Sequence, residues 1–196
     1  MKLWLTLLVA LGLGWWLHGG SERQHAPGEL APGEPVQSAP EDDSPRVFKG
    51  FTITPLADFA ITARVLGRKD YGHDRESQLA PTDLALGWGA MSDTGVLQHL
   101  DIGQGGRWYR WSTHELPIPA REIATHSANM HLVPANEDIA EVIGNVRTGD
   151  VVTLRGQLIE AVAPDKWRWK SSLSRTDAGG GSCELVWVEE ITLAPD

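Results

Sequence analysis

Residues 150–162 read DVVTLRGQLIEAV, a run in which apolar side chains alternate with polar ones. This period of two is typical of a β-strand with one buried face. The runs KWRWKSSLSR (166–175) and SCELVWVEEITL (182–193) alternate in the same way, and turn-forming residues separate them. The C-terminal third is therefore predicted to be an antiparallel meander. Gly156, inside its first strand, predicts a bend or bulge of the kind that small barrels need.

Three further strands are predicted upstream, over residues 47–54, 59–67 and 106–113, where apolar and β-prone residues predominate. The segment 68–95 is charged and then rich in glycine, without a sustained period. We expect a long structured loop there, with a helical turn near Thr82–Leu86. Long ordered loops in compact domains are usually functional.

Two short helices are predicted between the strands. Pro119 opens the first, over residues 119–129, because proline suits the first helical position. Asn136 caps the second, over residues 136–146, and its apolar residues fall on one stripe. The sequence thus predicts an α+β fold with a curved or barrel-like antiparallel sheet. An OB-like barrel is one arrangement that the C-terminal meander allows, by analogy alone.

The N-terminus differs in composition from the rest of the chain. Fifteen apolar residues, Leu3–Leu17, follow the positive charge of Lys2, a pattern typical of exported proteins. The run ends in two tryptophans rather than in small residues, which favours a membrane anchor over a cleaved signal peptide for residues 1–18. Residues 19–46 are rich in proline, glycine and glutamate, and we expect a disordered tether. Residues 47–196 then form a single domain.

The charges around the apolar run predict the orientation. A positive charge precedes it and an acidic segment follows it, which places the N-terminus in the cytoplasm and the domain in the periplasm. We expect a bacterial inner-membrane protein that crosses once, at residues 3–17, and secretion after signal cleavage is the alternative. The net charge of −9 argues against a nucleic-acid partner. The single cysteine excludes an internal disulfide, and no cofactor is predicted.

The one cysteine suggests a catalytic alternative. Cys183 opens the last predicted strand, and His126 lies 57 residues before it. A Cys–His pair on a membrane-tethered, β-rich domain is similar in outline to sortase-type transpeptidases, but no arginine follows Cys183 as it does in those enzymes. The alternation places Cys183 on one face with Leu185 and Trp187, which favours a role as a small buried side chain.

The remaining polar and aromatic residues suggest a ligand-binding site rather than a catalytic site. His126 and His131 are five residues apart, whereas a helical metal pair is four apart, so no metal site is predicted. The strings RWYRW (107–111) and KWRWK (166–170) can stack sugars or bases, although alternation on a half-buried strand also explains them. The residues predicted to mark a binding site are His73, Asp74, His131, Arg175 and Asp177.

Three segments carry a family resemblance: YGHDRESQLAPTDLALGWG (71–89), HSANMHLVPAN (126–136) and SSLSRTDAGGGSCELVWVE (171–189). They resemble those of a family of short exported bacterial proteins of unassigned activity. The resemblance implies a cell-envelope location and no particular reaction. We therefore expect a non-catalytic periplasmic domain that binds a peptide, glycan or protein partner. A hydrolase or transpeptidase that uses Cys183 and His126 is the alternative.

Overall fold

The computed structural model describes residues 22–174 and 183–195. The predicted membrane segment, residues 1–18, lies outside these residues, as do Arg175 and Asp177. Among the residues that the structure describes, no helix is both long and apolar enough to cross a membrane.

The described residues contain ten strands and three short α-helices. The strands are β1 (Val36–Ser38), β2 (Arg46–Phe48), β3 (Phe51–Asp70), β4 (Thr82–Gly87), β5 (Asp101–Gly105), β6 (Trp108–Ser112), β7 (Ser127–Pro134), β8 (Val151–Val162), β9 (Arg168–Lys170) and β10 (Glu184–Leu193). The helices are α1 (Thr94–Leu97), α2 (Ala120–Thr125) and α3 (Glu137–Asn145), and 3₁₀ turns occur at Glu76–Gln78 and Gly89–Ser92.

Five strands close into a ring. β3 pairs with β4, β4 with β7, β7 with β10, β10 with β8, and β8 returns to β3. The β7–β10 pair is parallel and the other four pairs are antiparallel. The 20-residue β3 closes the ring because it pairs with β8 along its first part and with β4 along its last. The predicted α+β fold with a curved, mostly antiparallel sheet is therefore confirmed.

Alternating side chains of these strands fill the barrel. The inward residues include Phe59, Ile61, Leu84, Leu86, Met130, Leu132, Leu154, Leu158, Val186 and Val188. Helix α3 packs Ile143 onto this core. The side chain of Asn136 caps the helix by accepting a hydrogen bond from the Ile139 N–H, as the sequence predicts for residues 136–146.

Two sequence predictions between residues 68 and 134 are wrong. Thr82–Leu86 forms no helical turn, because it lies in β4, a strand whose six residues are all buried. The predicted helix over 119–129 ends at Thr125, and β7 begins two residues later. Both strands are covered on their inner and outer faces, so their sequences lack the alternation that marks a half-buried strand.

The C-terminal meander also differs from its prediction. β9 and β10 do not pair with each other; both pair with the same edge of β8, at residues 160–162 and 152–158 respectively. The irregularity predicted at Gly156 is found on the neighbouring strand, as a bulge in β10 opposite Gly156. A Cβ atom there would collide with the Trp187 carbonyl, and β10 shifts register between Val188 and Glu190.

The predicted tether is corrected over its described part. Residues 22–45, named the N-terminal strap, lie along the barrel. The Arg23 N–H donates to the Thr148 carbonyl, and the Arg23 side chain forms an ion pair with Asp150. Ala31 is 1% exposed. Strand β1 then adds to the edge of β3 at residues 58–60.

Hydrogen bonds from backbone N–H groups of the strap to the side chains of Ser92 and Asp93 hold the strap against the barrel. The buried Ser92 hydroxyl accepts from the N–H groups of Leu30 and Ala31, each at 3.0 Å, and donates to the Gly89 carbonyl. The Gly28 N–H donates to Asp93 Oδ1 at 2.7 Å. Composition alone predicts disorder here, because it does not reveal donors and acceptors that tertiary structure supplies.

We expect Ser92→Ala to release the middle of the strap. The substitution leaves two backbone N–H groups without an acceptor, which should cost about 1–3 kcal/mol. Amide hydrogen exchange at Leu30 and Ala31 should rise at least about tenfold, and the urea midpoint should fall. Ser112→Ala, at an exposed serine of β6, is the control. Unchanged exchange at both amides would contradict this account of the strap.

Candidate functional site

The candidate site lies on the outer face of β4, β7 and β10. Asp83 on β4 stands directly opposite His131 on β7, and His131 stands opposite Leu185 on β10. Their neighbours Leu84 and Leu132 point into the barrel, so strand alternation turns Asp83 and His131 outward. Both side chains are nevertheless buried, which means that other elements cover them.

Arg107 provides most of that cover. It occupies the two-residue turn between β5 and β6 with Gly106, and both residues have positive φ angles of 68° and 59°. Its guanidinium donates from Nε and Nη2 to the two oxygens of Asp74, each at 2.8 Å. Nη1 donates to Asp83 Oδ1 at 2.7 Å and to the Ala80 carbonyl at 2.9 Å. One side chain thus joins the hairpin, the β3–β4 loop (residues 71–81) and the barrel wall.

Two more polar side chains complete the network, named the Arg107 cluster. Asn129 Nδ2 donates to Asp83 Oδ2 and to the Arg107 carbonyl, each at 3.2 Å. His131 Nδ1 lies 2.9 Å from Asp83 Oδ1, in a direction that is not that of a hydrogen bond. The cluster consists of Asp74, Asp83, Arg107, Asn129 and His131.

Arg107 and Asp74 keep their charges at ordinary pH. Hydrogen bonds from Arg107 hold the pKa of Asp74 at about 2, although burial opposes them. Burial lowers the pKa of Arg107, but its bonds to Asp74 and Asp83 outweigh this effect and the pKa is raised. These groups are therefore suited to hold a shape rather than to exchange protons.

Aromatic rings surround the cluster. The Arg107 guanidinium lies 3.8 Å from the centroid of Tyr71 and 5.7 Å from that of Trp169. Trp169 also packs on His131, with ring centroids 4.8 Å apart. Trp167 lies 6.1 Å from Trp169 and carries the guanidinium of Arg75 at 4.8 Å. We name Tyr71, Trp167 and Trp169, all partly exposed, the aromatic rim.

The structure brings three of the predicted site residues together. Asp74 and His131 belong to the Arg107 cluster, and Cys183, which is partly exposed, places Sγ 3.8 Å from the Arg107 carbonyl. His73 is exposed beside Asp74, and no contact among the described residues joins it to the cluster. Arg175 and Asp177 belong to the segment that joins β9 to β10 and lie outside the described residues.

The structure does not bring Cys183 and His126 together. His126 Nε2 lies 3.0 Å from Glu34 Oε1 of the strap, and Nδ1 lies 3.0 Å from the Glu122 carbonyl. Its ring packs near Trp88, whose Nε1 donates to the same Glu34 carboxylate. Both ring nitrogens thus have neighbours other than the thiol. Within residues 22–174 and 183–195, no three His, Cys, Asp or Glu side chains form a group that could hold a metal ion.

The sequence reading missed Arg107, Asp83 and Asn129 as site residues. Asp83 carried a usable signal, because it is a lone carboxylate in the apolar run TDLALG (82–87), and a buried carboxylate needs a partner. The sequence placed Gly106 and Arg107 at the start of a predicted strand, whereas they form the turn between β5 and β6. The sequence did not reveal that this turn folds over β4, since that contact depends on tertiary structure.

We expect the Asp74–Arg107 pair to make the free energy of unfolding depend on pH. The pKa of Asp74 is lowered by folding, so its contribution is present above about pH 4 and is lost as pH falls towards 2. After a discount for solvent screening, the wild-type chain should lose about 1–2 kcal/mol through this pair. Urea unfolding at several pH values measures the loss. Asp74→Asn should remove it, whereas Asp43→Asn, at an exposed strap residue, should retain it. An identical loss in all three proteins would contradict the role of the pair.

We expect Arg107→Ala to destabilise the whole face. Loss of the guanidinium leaves Asp83 buried without its main counter-charge, which should cost about 3–5 kcal/mol in urea unfolding. Arg110→Ala, at an exposed residue of the same hairpin, is the matched control and should change stability by less than about 0.5 kcal/mol. Equal effects of the two substitutions would show that the cluster does not fix the face.

Comparison of the chain with protein-family models, with curated proteins and with solved structures finds no match in any of the three. The resemblance to exported envelope proteins therefore stays a prediction.

Proposed function

We propose that this chain is a membrane-tethered periplasmic domain that binds a glycan of the cell envelope and is not an enzyme. The observation that carries the proposal is the aromatic rim, three partly exposed rings that the Arg107 cluster fixes beside the outer face of β4 and β7. Flat aromatic faces bordered by hydrogen-bonding groups suit the apolar faces and hydroxyls of sugar rings. The rings pack on guanidinium groups that ion pairs hold in place, so little ordering is needed on binding.

The strand order supports this placement of the site. The barrel strands occur in the chain as β3, β4, β7, β8 and β10, and the third pairs in parallel with the fifth. We infer that the barrel is OB-like. OB-folds bind oligonucleotides and oligosaccharides on the face of their second and third strands and on the loops after the first and fourth. Those features correspond here to β4, β7, residues 71–81 and the β8–β10 connection.

The charge of the protein distinguishes between oligonucleotides and oligosaccharides as ligands. Binding of an oligonucleotide depends on a positive field that attracts phosphates. This chain carries a net charge of −9, and each arginine charge in the site is paired with a carboxylate of Asp74, Asp83 or Asp165. A neutral or weakly charged glycan is the class that remains.

We expect the full chain in detergent micelles to bind oligomers of N-acetylglucosamine. Trp167→Leu should weaken binding at least about tenfold, because it removes a stacking surface. The control is Trp111→Leu, which changes a tryptophan that is also partly exposed and lies in β6, at the end of the hairpin away from the Arg107 turn. Isothermal titration calorimetry measures both. Equal weakening would indicate a general loss of packing, and binding of peptides in place of glycans would refute the ligand class.

The proposed location has its own test. We expect the mass of the protein from bacterial membranes to include residues 1–18, and we expect alkaline carbonate to leave it in the membrane fraction. A protease added to spheroplasts should digest the domain. A mature chain that begins near Gly19 or Gly20 would instead favour secretion after signal cleavage.

A further inference from the structure

A second region of the barrel wall contains a buried arginine that forms no ion pair with any other described residue. Arg64 lies on β3 and is 5% exposed. Its Nη1 donates to the Ser92 carbonyl at 3.2 Å and to Thr94 Oγ1 at 2.7 Å. Its Nε has no hydrogen-bond partner, and no carboxylate oxygen of the described residues lies within ion-pair distance of it. A buried charge in this condition destabilises the fold unless something else neutralises it.

The guanidinium borders a cavity. The cavity has a volume of about 490 Å³ and lies between β3, α1, β5 and the start of the strap. Thr94, Gln98 and Gln104 contribute polar groups to its lining, and Leu97, Leu100 and Ile102 contribute an apolar wall. This volume and this mixture of an apolar wall with a few polar groups are typical of small-molecule sites.

The other charged groups near the cavity leave the positive charge of Arg64 available. Arg68 also lines it, but its guanidinium already pairs with both oxygens of Asp70 and donates to the Ile143 and Val146 carbonyls. Burial lowers the pKa of Arg64, while the more distant Glu22 and Asp93 raise it only in part. Arginine stays protonated in proteins, so the site keeps a positive charge.

The Asp93 carboxylate has other partners. Its Oδ1 accepts hydrogen bonds from the N–H groups of Gly28 and Gly95. Glu22 lines the cavity without forming an ion pair with Arg64. It therefore weakens the positive field and does not neutralise it.

We propose that this cavity binds a small organic oxyanion, with the oxyanion on Arg64 and a short apolar body against Leu97, Leu100 and Ile102. A carboxylate and a phosphate monoester share the required chemistry, since each offers oxygen acceptors to a guanidinium. The site is separate from the Arg107 cluster and from the aromatic rim. The proposal does not depend on glycan binding.

The test uses the full chain in detergent micelles and three probes of equal chain length. Hexyl phosphate and hexanoate carry the oxyanion, and 1-hexanol is the uncharged match that controls for partition into the micelle. Ligand binding to the folded state raises the unfolding temperature with concentration, from which a dissociation constant follows. We expect both anions to stabilise the chain more than hexanol does, and the stronger of the two identifies the preferred oxyanion.

Two variants make the test specific. Arg64→Met keeps an unbranched, flexible side chain and removes its charge, and it should weaken anion binding at least about tenfold. Glu22→Gln removes the opposing charge at the cavity lining and should tighten binding about twofold to fivefold. A wild-type chain that gains no more from the anions than from hexanol overturns the proposal. Anion binding that survives in Arg64→Met also overturns it. If Arg64→Met fails to fold, an affinity of Glu22→Gln for the anions equal to that of the wild-type chain is enough to overturn the proposal.

Discussion

The ion pair between Arg107 and Asp83 is the constraint on which the outer face depends. Asp83 is fully buried on a central strand, and a carboxylate in that position is tolerated only with a counter-charge and donors. Arg107 supplies both and reaches it only because the β5–β6 turn folds over β4. The same guanidinium fixes Asp74, and with it the β3–β4 loop that contributes Tyr71 to the aromatic rim. One buried acid thus determines where a hairpin and a loop must lie.

The two sites use arginine in opposite ways. Around Arg107 every charge is matched within the chain, so the cluster contributes rigidity and leaves recognition to the neighbouring rings. The Arg64 guanidinium donates hydrogen bonds to a carbonyl and a hydroxyl, which orient it without neutralising it. A satisfied network stabilises a surface, whereas an unsatisfied one creates affinity for a ligand that completes it. Gln104 lies between them: it lines the cavity and donates to Asn129 of the cluster.

The sequence predicts elements whose signals are local. The α3 cap at Asn136 follows from a few neighbouring residues and is present, and Gly156 lies opposite a bulge in β10. It fails where the deciding contact is distant. β4 and β7 are buried on both faces and lose their alternation, and the parallel β7–β10 pair joins residues more than 50 positions apart. For the same reason the sequence indicated Asp74, His131 and Cys183 separately, and it did not indicate Arg107, which joins their surroundings.

The position of the strap determines how far a membrane anchor would let this domain move from the bilayer. A free tether over residues 19–46 would allow the barrel to range far from the bilayer. The strap instead is fixed to the barrel from Arg23 onward, through Thr148 and Asp150. On the proposed anchor at residues 3–17, about five residues of chain, or roughly 17 Å when extended, separate the membrane from the barrel. The end of the barrel that carries Glu22 and the Arg64 cavity would then lie near the membrane surface. A cavity with a cationic end and an apolar wall in that position is within reach of amphiphilic anions that partition into the bilayer, whereas the aromatic rim lies outside that cavity.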